Sequence, residues 1–276
     1  MPQYTKIINS GVPSLITILE ETWKARELIL ILALRAIVIR YKQTIIGGGW
    51  VLIQPVMLMV VFSVLLGAFA KLPSNGLPYP IFIYLAILPW QFFSKSLAEI
   101  TGCIVANKDL ITKVYFQPFG LVVAIIISSL FDLFVSLIVL VSLLLYFKVG
   151  VSWYVVLAPL YIIQIALFSI GLGSILSAIN LKYRDIGHAI PFLTQIWMFL
   201  TPVVYPASLI PEKWSFIYEL NPLFAVIEGF RWAVVGGDPV SLTNSCIAIA
   251  IIFMTFLLGV KVFSNKAPYF ADQLGA

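Results

Sequence analysis

The chain has 276 residues, of which 61% are hydrophobic and 11% charged, where soluble domains carry roughly 25% charged residues. Its net charge of +5 comes from cations spread over short segments rather than gathered on one face, which excludes a nucleic-acid surface as the first reading. Long stretches contain no formal charge: Gln43–Ala70, Val114–Phe131, Val149–Leu181 and Pro239–Val260, with shorter ones at Leu72–Ser94 and Ile186–Pro211.

A helix crosses a hydrocarbon layer with roughly 20 apolar residues, and it satisfies every backbone donor and acceptor within itself. The chain is therefore an all-α, polytopic membrane protein whose spans leave no room for a sizeable soluble domain.

In chain order, residues 1–13 read as a loose polar start with Pro2, Gly11 and Pro13. The first 27 residues include Lys6, Glu20, Glu21, Lys24, Arg26 and Glu27 and lack an apolar core before a small-residue site; no cleavable signal peptide is expected. From Ser14, read as an N-cap, a helix runs to Lys42. Its longest apolar run, Leu28–Leu34, is too short to cross and is closed by Arg35, Arg40 and Lys42. Such a helix is expected to lie along the membrane surface with its cations outward. Gly47, Gly48 and Gly49 then break it.

Six spans are predicted. They cover about 50–70, with Trp50 at the interface, 81–105 with a kink at Pro89, 118–147, 153–179, 189–205 and 240–263. The tail covers 264–276. With cytoplasmic termini, the inner side holds twelve Lys and Arg and the outer side four, as the positive-inside rule requires. Residues 206–239, between spans 5 and 6, are too apolar for a plain loop yet carry Glu212, Glu219, Glu228 and Asp238. Pro211-Glu212 and Asn221-Pro222 are helix starts. Two short outer helices, Glu212–Leu220 and Leu223–Val234, are predicted there as a hairpin; the bland alternative is an amphipathic loop packed on the bundle.

Catalytic constellations are scarce. The single histidine, His188, excludes a His-rich metal site, and GxSxG, CxxC, HExxH and the GxxxxGK[ST] phosphate loop are missing from the sequence. Any ATP hydrolysis must then come from another polypeptide. Cys103 and Cys246 read as structural thiols. Charges inside spans are costly and need a reason. Asp132 is either a polar lining or proton site, or a hydrogen-bonding group toward a neighbouring helix. Lys95 and Glu99, one turn apart, pair with each other or line an aqueous cavity. An ion-coupled carrier usually shows more carboxylates and an inverted repeat, and no convincing repeat is visible.

Aromatics cluster where a conduit could pass: Trp90, Phe92 and Phe93; Phe192, Trp197, Phe199 and Tyr205; Trp214, Phe216 and Tyr218. Their faces can stack on sugar rings, or they are ordinary belt and core residues. Few pore charges suit a neutral or hydroxyl-rich substrate. Ser169, Gly173 and Ser177 recur every four residues, marking either packing within the chain or a dimer seam.

Several short strings give a resemblance. They are Arg40-Tyr41-Lys42-Gln43 before a glycine and Trp50, Gln54-Pro55, Asn180-Leu181-Lys182-Tyr183-Arg184-Asp185, and Thr201-Pro202-Val203 followed by Tyr205. Pro211 with Trp214, Asn221-Pro222 and the Phe263–Asp272 tail complete the set. In order and spacing, residues 30–270 resemble the membrane subunits of type-2 ABC exporters, specifically the polysaccharide-export permeases for O-antigen, capsule and teichoic acid.

The resemblance implies a bacterial inner-membrane permease, one transmembrane domain over 1–276. It also implies a homodimer in which each subunit docks on a separate ABC ATPase. ATP and Mg would sit on that partner and no cofactor on this chain. A lipid-linked glycan would pass through a pore at the dimer axis, among membrane lipids. Coupling to the ATPase falls on Asn107, Lys108, Asp109, Leu110 and Lys113, with a second contact at Lys182, Arg184 and Asp185 and a basic contribution from Arg40 and Lys42. The candidate channel aromatics are Trp50, Trp90, Phe92, Phe93, Phe192, Trp197, Phe199, Tyr205, Trp214 and Tyr218.

Overall fold

A computed structural model describes residues 15–42, 47–113 and 116–275. The Ser14 cap, residues 1–13 and Gln43 lie outside the described residues. Among those described, every regular element is helical. The elements are α1 (Leu15–Lys24), α2 (Arg26–Lys42), α3 (Gly49–Phe62), α4 (Tyr79–Ala106), α5 (Lys108–Lys113) and α6 (Phe119–Tyr146). They continue as α7 (Ala158–Asn180), α8 (Asp185–Phe199), α9 (Glu212–Glu219), α10 (Pro222–Val235), α11 (Leu242–Lys266) and α12 (Phe270–Gly275).

Five of the described helices are long and apolar enough to cross a membrane: Gly49–Phe69, Tyr79–Ala106, Phe119–Tyr146, Trp153–Asn180 and the helix starting at Leu242. The segment read as span 5 is shorter than predicted. Its helix, α8, has 15 residues, a rise of about 22 Å, and stops at Phe199 before Thr201-Pro202-Val203. Pro202 has no N–H to continue the ladder, and the backbone turns there.

α4 is the axis of the bundle and packs against α3, α6, α7, α8 and α10, while α11 packs on the far side of α7. The helix pair α7–α11 is close because both partners are glycines at the crossing. A Cβ on Gly259 would lie 2.0 Å from the Gly171 carbonyl oxygen, and one on Gly171 would lie 2.6 Å from the Phe256 backbone. The Ser169, Gly173 and Ser177 stripe turns out to serve packing within the chain. Ser169 and Ser177 are buried, a Cβ on Gly173 would press on Ile100 at 2.7 Å, and Ser177 Oγ lies 3.6 Å from Cys103 Sγ. The two thiols differ: Cys103 is buried and Cys246 exposed.

α3 relaxes into a π-helical turn over Ser63–Phe69, where Gly67 lies against the Tyr79 ring; a Cβ there would come 2.8 Å from Tyr79 Cγ. At the opposite end of the bundle a second apolar cluster joins α1, α5, the start of α6, the end of α11 and α12 through Ile18, Phe119, Phe263, Phe270 and Leu274. The chain's last described turns are thus a helix docked on α5, with Phe270 and Leu274 one turn apart on its inner side.

Candidate functional site

α2 does not lie free on a surface. It breaks from α1 at Ala25 and runs beside the first half of α6 in the same direction. Ile29 packs at Gly120, Ile29 and Ala33 share a cluster with Ala124, and Arg40 reaches Ser128 and Asp132. From Gly120 to Asp132 this is a climb of about 18 Å along the helix. The helix predicted in one piece is two, α1 and α2, and the apolar residues of α2 do not form one face. Ile29 and Ala33 are buried, whereas Leu30, Ile31, Leu34, Val38 and Ile39 are exposed on other sides.

The climb delivers Arg40 and Tyr41 to carboxylates within the bundle. Arg40 donates to Glu99 at 2.8 Å, to Ser128 at 3.2 Å and to Asp132. Tyr41 and Lys95 also donate to Asp132. Asp132 therefore accepts hydrogen bonds from three residues on two neighbouring helices, and its side chain is only 9% exposed. Burial, and then the hydrogen bond to Asp132, push the Tyr41 phenol up to about 12, so it stays a donor at neutral pH.

The pairing differs from the one expected along α4. Lys95 goes to Asp132 and Glu99 to Arg40, and Lys95 meets the other reading by lining a cavity. Two cations and two carboxylates balance, as charges in hydrocarbon require. Tyr41, Lys95 and Arg40 thus engage both carboxylates of the cluster.

Lys95 and Asp132 also line a half-open cavity of about 580 Å³ between α3, α4, α6 and α8. Its wall carries Gln54, Gln91, Gln195, Ser94, Ser136 and Thr194 among apolar residues, with Trp90 and Phe92 from the aromatic set. A smaller cavity of about 300 Å³ beside the start of α10 is lined by Trp197 and Tyr218. The other candidate aromatics sit elsewhere. Phe93 is fully enclosed, stacked on Phe168 and edge-on to Trp197. Tyr205 hydroxyl donates to the Phe199 carbonyl and lies 3.1 Å from the Tyr218 hydroxyl. Trp50, Phe192, Phe199 and Trp214 are exposed.

The candidate coupling residues of α5 and of the α7–α8 turn fall near one end, whereas Arg40 sits at Asp132 in the middle of α6. α5 follows α4 after Asn107, whose side chain donates to Cys103 O. Asp109 and Lys113 face solvent and pair at 3.2 Å. Lys182, Arg184 and Asp185 are exposed on the α7–α8 turn. Asn180, which sequence reading took only as part of a motif, fixes that turn to the same end. Its amide donates to Thr101 O at 3.1 Å and its carbonyl oxygen accepts from Gly187 N at 2.8 Å.

On the other side of α4, Asn221 caps α10 through Leu223 N and donates to Thr201 Oγ1. Arg231 is buried, pairs with Glu228 at 2.5 Å, donates to Pro202 O and lies over the Phe82 ring at 4.0 Å. No reading of the sequence singled out Arg231, although a lone cation in an apolar helix is a signal.

Residues 27–235 match the ABC-2 type transporter family. The chain is 27% identical over 264 residues to the O-antigen export system permease protein RfbA of Myxococcus xanthus, covering 94% of this chain and all of that protein. It is 24% identical over 214 residues to the polysialic acid transport protein KpsM of Escherichia coli, covering 75% of this chain and 80% of that one. It is 23% identical over 249 residues to the capsule polysaccharide export inner-membrane protein CtrC of Neisseria meningitidis, covering 87% and 91%. A bundle of apolar helices around one central span, matched over most of its length, agrees with these relatives: the chain belongs to the ABC-2 type transporter family.

Proposed function

We propose that the chain is the membrane subunit of an ATP-driven exporter that moves a lipid-linked polysaccharide from the cytoplasm across the bacterial inner membrane. The observation that carries this reading is the end-to-end match to an O-antigen export permease, 94% of one chain on the whole of the other. The amide- and hydroxyl-lined cavity between α3, α4, α6 and α8 supports it from the chemistry side, since hydroxyl-rich cargo needs donors and acceptors in place of water.

In this reading two copies face each other and enclose the path, with the cavity of each opening toward the axis. α8 and the turn after it, together with α9 and α10, complete a sixth crossing and its outer gate. Both termini are cytoplasmic. The end bearing α5, α12 and the 182–185 turn meets a separate ABC ATPase, which holds ATP and Mg. Asn107, Lys108, Asp109, Leu110 and Lys113 make the main contact there, and Lys182, Arg184 and Asp185 a second one. Arg40 couples indirectly, since α2 ties that end to the charge cluster at Asp132, and Lys42 continues the same helix.

The test is a deletion of the gene scored for surface glycan, with affinity purification of the tagged chain from its native membrane. Lost surface glycan, accumulation of the lipid-linked form inside, and copurification of an ATPase are expected. Normal surface glycan in the deletion strain overturns the reading.

A further inference from the structure

We propose that the cavity between α3, α4, α6 and α8 is a sugar-binding site selective for uncharged, hydroxyl-rich units, with Gln54, Gln91 and Gln195 setting that selectivity. The inference rests on the exporter reading and adds the class of glycan.

Three carboxamides converge on one cavity from three different helices: Gln54 from α3, Gln91 from α4 and Gln195 from α8. None has a hydrogen-bond partner among the described residues. Each amide offers two donor hydrogens and an acceptor oxygen, the pattern that neighbouring sugar hydroxyls complete. Ser94 and Thr194 hydroxyls add to the same wall. The hydroxyls already carry backbone contacts, Ser94 to Gln91 O at 3.3 Å and Thr194 to Ile190 O at 2.9 Å, so their lone pairs remain to accept. Trp90 and Phe92 back the same wall but are buried in the core, so contact with a sugar falls on the amides and hydroxyls. At about 580 Å³ the cavity falls in the ordinary range for small-ligand sites.

Charge decides the class. Among the described lining residues only Lys95 and Asp132 are charged, and they bond each other. Arg40, the nearest further cation, is bound by both Asp132 and Glu99. A uronate or sialate carboxylate entering here meets no unpaired cation, and neutral amide donors offset only part of the cost of stripping water from its charge. The amides lose nothing with a neutral sugar. The KpsM relative is named for polysialic acid, a polyanion, so a preference for uncharged glycan is not fixed by the family and must come from this chain's own lining.

The experiment reconstitutes the full permease with its ATPase in proteoliposomes. It compares two polyprenyl-diphosphate-linked oligosaccharides of equal length, one of hexoses and one with glucuronic acid at alternate positions. The shared anchor isolates the sugar. ATP-dependent translocation of the neutral glycan is expected to run about tenfold or more faster than that of the acidic one. Equal rates, or a faster acidic glycan, overturn the selectivity. Movement of neither overturns the exporter reading and the inference with it. Gln91→Lys and Gln195→Lys, each placing an unpaired cation in the wall, are expected to narrow the gap. An unchanged ratio in both folded variants also counts against the assignment, and the wild-type comparison decides if either fails to fold.

Discussion

Arg40, at the end of a helix that precedes the first span, donates directly to Asp132 in the middle of α6, 92 positions further along the chain. The bond makes the start of the bundle answerable to its centre. Asp132→Asn removes the acceptor charge that Arg40, Tyr41 and Lys95 share and leaves two cations facing Glu99 alone. Removing one partner of a buried ion pair costs about 3–5 kcal/mol, and the partial exposure of Arg40 and Lys95 places this site at the low end. A lower unfolding temperature in detergent is expected. Asp132→Asn combined with Lys95→Met, which restores the charge balance, should recover much of the loss; a double variant as unstable as the single one contradicts the pairing.

Tyr41 gives the same cluster a pH signature. Its phenol is raised from 10 to about 12 by burial and by Asp132. A group whose folded value lies above its unfolded one contributes stability that is complete below pH 10 and is lost as pH rises through about 12. Nothing should change between pH 6 and 9. Tyr41→Phe removes one donor and should cost about 1 kcal/mol, equally at pH 6 and 9. A deficit that depends on pH within that window would mean the phenol titrates there.

The α7–α11 crossing is the tightest point of the bundle. Gly259→Ala would set a methyl 2.0 Å from the Gly171 carbonyl oxygen, and the backbone must move to accept it. Overpacking of this kind costs about 1–3 kcal/mol, or about 2–4 °C in Tm for each kcal/mol in a chain of this size. Gly102→Ala is the control, because a Cβ there meets nothing within 4 Å and alanine favours helix. Equal melting temperatures for the two variants would refute the close approach.

The spans at 49–69, 79–106, 119–146 and 153–180 and the one starting at Leu242 were legible because apolar residues in these runs outnumber everything else, whatever their neighbours do. Where the outcome depended on tertiary partners, sequence patterns misled. Lys95 and Glu99 stand at i,i+4 and look like a pair, yet their partners come from α6 and α2, which no local spacing encodes. α2 looked like a surface helix because its cations close an apolar run. One of those cations, Arg40, instead reaches two carboxylates within the bundle. The predicted span over 189–205 outlasts its helix, which ends at Phe199 ahead of Pro202 and Pro206. The helix at Phe270–Gly275 was missed although Phe270 and Leu274 stand one turn apart. Gln54, Gln91 and Gln195 could not be grouped in advance, since only the packing of α3, α4 and α8 brings them to one cavity.

Asp109 and Lys113 separate a docking role from a structural one. They pair at 3.2 Å with side chains 89% and 73% exposed, and such a pair contributes about 0–1 kcal/mol to folding. Asp109→Lys should therefore leave the melting temperature of the permease alone unchanged. α5 is nonetheless the exposed helix that links α4 to α6 and rests on α12. A partner seated there meets these charges first, and a like charge placed across an interface weakens association and slows encounter. The expected outcome is normal expression and stability, loss of copurifying ATPase, and export reduced by about tenfold or more. A charge-reversed chain that still binds its ATPase and exports at the wild-type rate would place the contact elsewhere, with the turn bearing Lys182, Arg184 and Asp185 next to be reversed.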